Sequence, residues 1–131
     1  MNLKIMHYAL NTCNMKAMID FYCDKLGFKH SFSLKDDQGN PWIEYLKLSE
    51  GQFLELFYLG SEPDKGNIYN HICFEVPDCQ AAADELEKKG VTLDVKPNRG
   101  KDGNFQAWIH DPDGNRIELM QVFPDSMSGR A

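Results

Sequence analysis

EGQFLELF (50–57) and DGNRIELM (113–120) are one pattern written twice. Each runs acid, glycine, amide, a variable position, an aliphatic residue, then Glu-Leu and an apolar residue. The copies lie 63 residues apart, close to half of the 131-residue chain. His7 in IMHYAL and His71 in YNHICFEV recur at nearly the same interval, and Gly27 and Gly90 recur at the same one. The chain therefore reads as one module duplicated, with one His and one Glu on a strand-like segment of each copy.

Working outward from the repeat, alternation over 4–10 predicts a strand with Ile5, His7 and Ala9 on one face and Met6, Tyr8 and Leu10 on the other. Met18, Phe21, Tyr22 and Leu26 recur at helical spacing within 15–26, and Gly27 supplies a left-handed stop. Strands are expected at 28–34, 42–48 and 52–58, separated by the loop DDQGNP and a turn at Ser49-Glu50-Gly51. The second half repeats the order. A strand is expected at 70–76, then a helix capped by Asp78 and running through Lys89 to Gly90. A strand at 91–95, the loop PNRGKDGN and a hairpin of 105–110 with 115–122 around DPDG complete it. Asn11 and Asn14 are also expected to cap helices. GSEPDKGN has linker composition, and SMSGRA reads as a frayed tail.

The fold class is thus α+β: two tandem β-α-β-β-β modules, about 3–60 and 67–123, in one domain spanning 1–131. Each sheet has one helix and leaves its other face open. Two such sheets are expected to curve into a cup with helices outside. Leu54, Leu56, Ile117 and Leu119 would pack under the helices. His7, Glu55, His71 and Glu118 would face inward, with Phe53 and Phe57 beside Glu55.

Composition narrows the function classes. A formal net charge of −6 gives no electrostatic case for nucleic acid. No apolar run approaches a membrane span, and MNLKIMHYAL lacks the plan of an export leader. The four cysteines, Cys13, Cys23, Cys73 and Cys79, show no CxxC spacing. They are expected to be free thiols in a reducing cytoplasm.

Two imidazoles and two carboxylates suit a divalent metal and leave positions open for water or substrate. Read singly, a strand Glu is usually solvated and a strand His is usually a hydrogen-bonded semi-core residue. Four such residues at equivalent places of a repeat favour the metal, because two inward carboxylates without a cation repel each other. Trp42, Trp108, Phe53 and Phe57 fit either an apolar wall or ordinary sheet packing. Cys73 shares the parity of His71 but is expected to be a small buried thiol. His30 and His110 lack counterparts in the repeat and are read as surface or turn residues.

The paired modules, the late DPDGNRIEL and the order His, Glu, His, Glu resemble the vicinal oxygen chelate superfamily. Within it, the chain looks most like the short bacterial glyoxalase I, or lactoylglutathione lyase, family. The resemblance spans about 3–123. It implies His7, Glu55, His71 and Glu118 as ligands of one divalent ion, with Ni(II) or Co(II) favoured and Zn(II) or Mn(II) the alternatives. It also implies a homodimer and a small hemithioacetal substrate formed from a thiol and a 2-oxoaldehyde. In that chemistry a carboxylate takes the proton from the carbon bearing sulfur. The enediolate is then reprotonated next door to give an S-2-hydroxyacyl thioester. Glu118 and Glu55 are the candidate bases, Glu118 favoured.

Glutathione-using members often carry Arg four residues after the first His, and Asn shortly after the first Glu. Asn11 and Leu59 stand there, so the thiol is left open. Arg99, Lys101 and Asn104 are alternative carboxylate contacts, though their loop also reads as a solvated basic turn. The competing readings are an Fe(II) extradiol dioxygenase or an epimerase, and a metal-free small-molecule-binding resistance protein. Related epimerases usually have Gln at the place of Glu55, and the dioxygenases use two His and one Glu.

Overall fold

The computed structural model describes residues 5, 7–60, 69 and 71–130. The chain divides into two compact units, Met1–Lys65 and Gly66–Ala131. The linker GSEPDKGN lies outside the described residues except for Gly60.

Unit one contains β1 (His7–Thr12), α1 (Met15–Asp20), a π-helical turn (Phe21–Lys25), β2 (Lys29–Lys35), β3 (Pro41–Ser49) and β4 (Gln52–Tyr58). Its sheet has the order β1-β4-β3-β2, with β1 parallel to β4 and the remaining pairs antiparallel. Unit two contains β5 (Ile72–Glu75), α2 (Cys79–Lys88), β6 (Val95–Arg99), β7 (Phe105–His110), β8 (Arg116–Gln121) and a terminal turn, α3 (Met127–Arg130). Its sheet has the matching order β5-β8-β7-β6, again with one parallel pair, β5 with β8. A parallel pair cannot be closed by a tight turn. In each unit the helix and two strands lie between the parallel partners. The expected tandem β-α-β-β-β plan is the observed one.

Alternation along β4 and β8 divides the side chains as expected. Leu54, Leu56, Ile117 and Leu119 are buried. In unit one they join Met15, Met18, Phe21, Tyr22, Phe28 and Leu46; in unit two they join Cys79, Ala83, Leu86, Ala107 and Ile109. Burying each large aliphatic side chain stabilises its unit by about 1.5–3 kcal/mol.

The helices differ more than the sheets. Asp78 caps α2 as expected, its carboxylate accepting from the Ala81 amide at 2.9 Å. Asn14 occupies the N-cap position of α1 but makes no side-chain cap. Its amide side chain donates to the Cys13 sulfur instead. Asn11 is no cap at all, because β1 continues through it to Thr12. The helix expected over 15–26 changes to π geometry at Phe21, where the Leu26 amide reaches the Phe21 carbonyl at 3.2 Å.

Two further expectations are corrected. The strand foreseen at 91–95 lies at Val95–Arg99, running into the presumed loop that begins at Pro97. It is an edge strand, where Pro97 need not donate to a ladder; Lys-Pro-Asn-Arg also carries no apolar alternation. The tail is not wholly frayed. The Met127 amide donates to the Asp102 carbonyl at 2.9 Å, and buried Ser126 accepts from the Gly129 amide at 3.0 Å.

Three strand connections share one construction: DDQGN (36–40), GKDGN (100–104) and DPDGN (111–115). In each, the first residue's amide donates to the final Asn carbonyl, at 2.8–3.0 Å. Gly39, Gly103 and Gly114 take φ of 82°, 91° and 80°, a region costly for any residue with a Cβ.

Candidate metal centre

In unit one, β1 and β4 run side by side in parallel, with His7 opposite Phe53 and Ala9 opposite Glu55. This brings the His7 Nδ1 within 3.4 Å of a Glu55 carboxylate oxygen. In unit two, His71 immediately precedes β5, and Cys73 lies opposite Glu118. The His71 Nε2 stands 3.2 Å from a Glu118 oxygen. The four sequence candidates therefore form two His–Glu pairs, one per unit. Among the described residues no three of His, Cys, Asp and Glu gather closely enough to hold a metal ion.

Each pair fits metal chemistry at the level of its donors. Glu55 and Glu118 are both 6% exposed, whereas the His7 and His71 side chains keep 48% and 32% of their surface. A carboxylate this buried needs a cation or hydrogen-bond donors. The imidazoles remain open to an incoming ligand. Nitrogen and carboxylate oxygen suit Zn, Ni, Co, Mn or Fe(II).

The surroundings of the carboxylates differ. Tyr45 on β3 lies opposite Glu55. Interaction with the Glu55 carboxylate, followed by desolvation, raises the Tyr45 pKa and keeps the phenol protonated. Phe32 stacks on Tyr45 with centroids 4.2 Å apart, and Phe53 meets both rings edge-on. Opposite Glu118 on β7 stands Trp108, whose ring meets His71 edge-on at 4.8 Å and carries the Arg116 guanidinium at 4.5 Å.

Cys73 is exposed rather than buried, correcting the expectation; the buried thiol is Cys79. Desolvation, the Glu118 charge and a hydrogen bond to Glu118 push the Cys73 thiol up to about 12. Because the residue is exposed, the adjacent carboxylate is the firmer of these causes. The thiol stays protonated and unreactive at neutral pH.

Of the proposed carboxylate contacts, Asn104 is withdrawn. It is fully buried, donates to Asp102 at 2.9 Å and accepts from the Phe123 amide at 3.0 Å. Arg99 packs over Phe105 and Phe123 and donates to the Gly103 carbonyl at 2.7 Å. Lys101 is exposed. Asn11 is exposed opposite Phe57, and Leu59 follows β4. Trp42 is 45% exposed and touches Phe57 edge-on, so it is not core packing.

The histidines outside the repeat have carboxylate partners: His30 with Glu44 at 2.6 Å and His110 with Asp94 at 2.8 Å. Sequence reasoning missed the buried Glu44, which accepts from Ser33 and from the Tyr58 hydroxyl as well. Desolvation is the largest influence on Glu44 and raises its pKa. The hydrogen bonds from Ser33, His30 and Tyr58 outweigh it and hold the carboxyl below its ordinary value. The only available signal was its strand parity, which places an acidic residue on the face of Leu46.

Known proteins resemble this chain along most of its length. The family model of the Glyoxalase/Bleomycin resistance protein/Dioxygenase superfamily matches residues 4–119. A probable lactoylglutathione lyase of Vibrio cholerae is 31% identical over 92% of this chain and 91% of its own length. A lactoylglutathione lyase of Pseudomonas aeruginosa is 31% identical, covering 95% of this chain and 85% of that protein. Among solved structures, a glyoxalase family protein from Enterococcus faecalis superposes with a TM-score of 0.76 at 27% identity, covering 90% of this chain and 97% of that one.

Proposed function

This chain belongs to the Glyoxalase/Bleomycin resistance protein/Dioxygenase superfamily, and on that premise we propose that it is a metal-dependent lyase of the glyoxalase I type. It would convert the hemithioacetal of a 2-oxoaldehyde and a thiol to an S-2-hydroxyacyl thioester. Relatives named lactoylglutathione lyase at about 31% identity support a glyoxalase-family enzyme. The observation that carries the reading is the repeated pairing of an open imidazole with a buried carboxylate, His7 with Glu55 and His71 with Glu118.

His7, Glu55, His71 and Glu118 are the ligands on this reading, with Ni(II) or Co(II) preferred and Zn(II) or Mn(II) as alternatives. The bound ion supplies positive charge against the negative charge that develops on the substrate's two vicinal oxygens. Glu118 takes the proton from the carbon bearing sulfur and returns it to the neighbouring carbon. The C–H bond that breaks and the C–H bond that forms balance, so no oxidant or reductant is needed. Glu55 is the second candidate for this role. On the same reading the protein works as a homodimer in the cytoplasm. No helix among the described residues is long and apolar enough to cross a membrane.

The test is isomerase activity on preformed methylglyoxal hemithioacetals. Metal-stripped protein would be restored in turn with Ni, Co, Zn or Mn and offered glutathione and other thiols, since Asn11 and Leu59 leave the thiol open. Metal-restored thioester formation supports the reading. Stoichiometric metal binding without turnover, or oxygen uptake with catechols, moves the function elsewhere in the superfamily. No metal binding removes the centre.

A further inference from the structure

The repeat interval of 63 sets Arg116 of β8 at the place of Phe53 on β4, and Trp108 of β7 at the place of Tyr45 on β3. In unit one these places hold two rings, edge to face with centroids 6.2 Å apart. In unit two they hold a cation on a ring, with the Arg116 guanidinium carbon 4.5 Å from the Trp108 centroid. Ring packing alone fills the place in unit one, so the sheet itself does not require a charge there.

Arg116 shares a face with the candidate ligands of its unit. Ile117 and Leu119 are buried, so alternation turns Arg116 and Glu118 to the other side of β8. Trp108 lies opposite Glu118 and meets the His71 ring edge-on at 4.8 Å. Arg116 thus stands two residues, about 7 Å of strand, from Glu118. Its head group is seated on the ring that touches His71. The Tyr69 hydroxyl donates to the Arg116 carbonyl at 2.8 Å and anchors the backbone as well.

The charge of Arg116 is uncommitted. The residue is exposed, and among the described residues its guanidinium makes no ion pair. The imidazoles on the same face have carboxylate partners, His71 with Glu118 at 3.2 Å and His110 with Asp94 at 2.8 Å. Arg99 is occupied: it lies 5.0 Å from both the Phe105 and Phe123 centroids and donates to the Gly103 carbonyl at 2.7 Å. A guanidinium stacked on an indole keeps its in-plane N–H fork, which fits a carboxylate bidentately.

We propose that Arg116 is a specificity-determining residue that binds a carboxylate of the substrate, outside the two reacting carbons. The substrate class is then an anionic hemithioacetal. The carboxylate comes from the thiol or from the far end of the 2-oxoaldehyde. This inference rests on the proposed lyase reading and deepens it.

The experiment offers the Ni(II)-restored full chain matched acid and ester substrates. One pair joins methylglyoxal to mercaptopropionate or to its methyl ester. The other joins the ester thiol to a 2-oxoaldehyde with a terminal carboxylate, or to that aldehyde's ester. Wild type, Arg116→Met, Arg116→Lys and Arg99→Met are compared, with the Tm of each recorded. Wild type is expected to prefer the acid in one pair, which identifies the arm that carries the charge. Arg116→Met should raise KM for that acid about 10–100-fold with kcat within about threefold, so that the acid-over-ester preference collapses. Arg116→Lys should restore part of it, as a point charge without the fork. Arg99→Met should retain it. No preference for either acid in wild type, or a preference that survives Arg116→Met, overturns the proposal. Calorimetry with S-methyl mercaptopropionate, an inert acid, separates the two readings. Binding that Arg116→Met abolishes, without turnover of any hemithioacetal, removes the lyase reading and leaves the carboxylate site. Neither binding nor turnover removes both.

Discussion

On β3 of unit one, Glu44 points into the buried side and is met by Ser33, His30 and Tyr58. At the same place on β7 of unit two stands Ala107, fully buried among apolar neighbours. The registers confirm the equivalence: Glu44 opposes Leu56, and Ala107 opposes Leu119. One backbone plan therefore tolerates a carboxylate or a methyl at one site, provided each polar atom finds a partner. The helices show a similar divergence: Asp78 caps the start of α2, whereas α1 starts at Asn14 without a side-chain cap and runs on into a π turn.

The sharpest break of the symmetry is expected in activity. Glu118→Gln should lower kcat about 10²–10⁴-fold if Glu118 is the base. Glu55→Gln should act chiefly through metal affinity and recover partly at high metal concentration. Equal, metal-insensitive losses in steady-state assays would collapse the distinction between the two carboxylates.

Cavity-forming changes come next and should treat the units alike. Leu56→Ala and Leu119→Ala occupy equivalent buried positions and should each cost about 2–5 kcal/mol in urea unfolding. A cost confined to one of them would show that the modules share a plan but not a packing.

Glu44→Gln should cost about 1–3 kcal/mol near neutral pH, because the donors around it lose a charged acceptor. The Glu44 pKa is depressed in the folded state. Its contribution to stability is therefore fully present above the unfolded value near 4.5 and is lost as pH falls through the lower folded value. The gap between wild type and Glu44→Gln in Tm should narrow on acidification below about pH 4.5. A gap that widens there would contradict the sign. Ala107 offers unit two no corresponding titration.

The smallest effects lie at the helix starts. Asp78→Ala should cost about 1 kcal/mol through its lost cap. Asn14→Ala should cost only a few tenths of a kcal/mol, since it makes no cap. Equal Tm shifts would mean that the Asp78 hydrogen bond to Ala81 contributes little.

The fold was legible because its signals were periodic. β4 coincides with the strand read from EGQFLELF and its flanks, and β7 with FQAWIH. The pattern failed where geometry broke the period. The π turn keeps its apolar residues while changing the hydrogen-bonding step, and β6 carries Lys-Pro-Asn-Arg with no alternation to detect. At the centre, the repeat singled out His7, Glu55, His71 and Glu118, and β-pairing makes two close pairs of them. Tyr45 was invisible for a different reason: its meaning depends on the β3–β4 register, which a sequence of separate strands does not display. Asn104 misled because a side chain suited to binding a ligand is equally suited to tying a GN turn to the Phe123 amide.

The parallel pairing of β1 with β4 also sets an order of events in the growing chain. β1 is made first, yet among the described residues its only sheet neighbour is the last strand of its unit. It must wait through the synthesis of α1, β2 and β3 before it can dock, an entropically slow, non-local closure. The second unit repeats the delay with β5 and β8. His7 meets Glu55, and His71 meets Glu118, only at these closing steps. Neither imidazole–carboxylate pair can therefore assemble on a nascent, half-folded module.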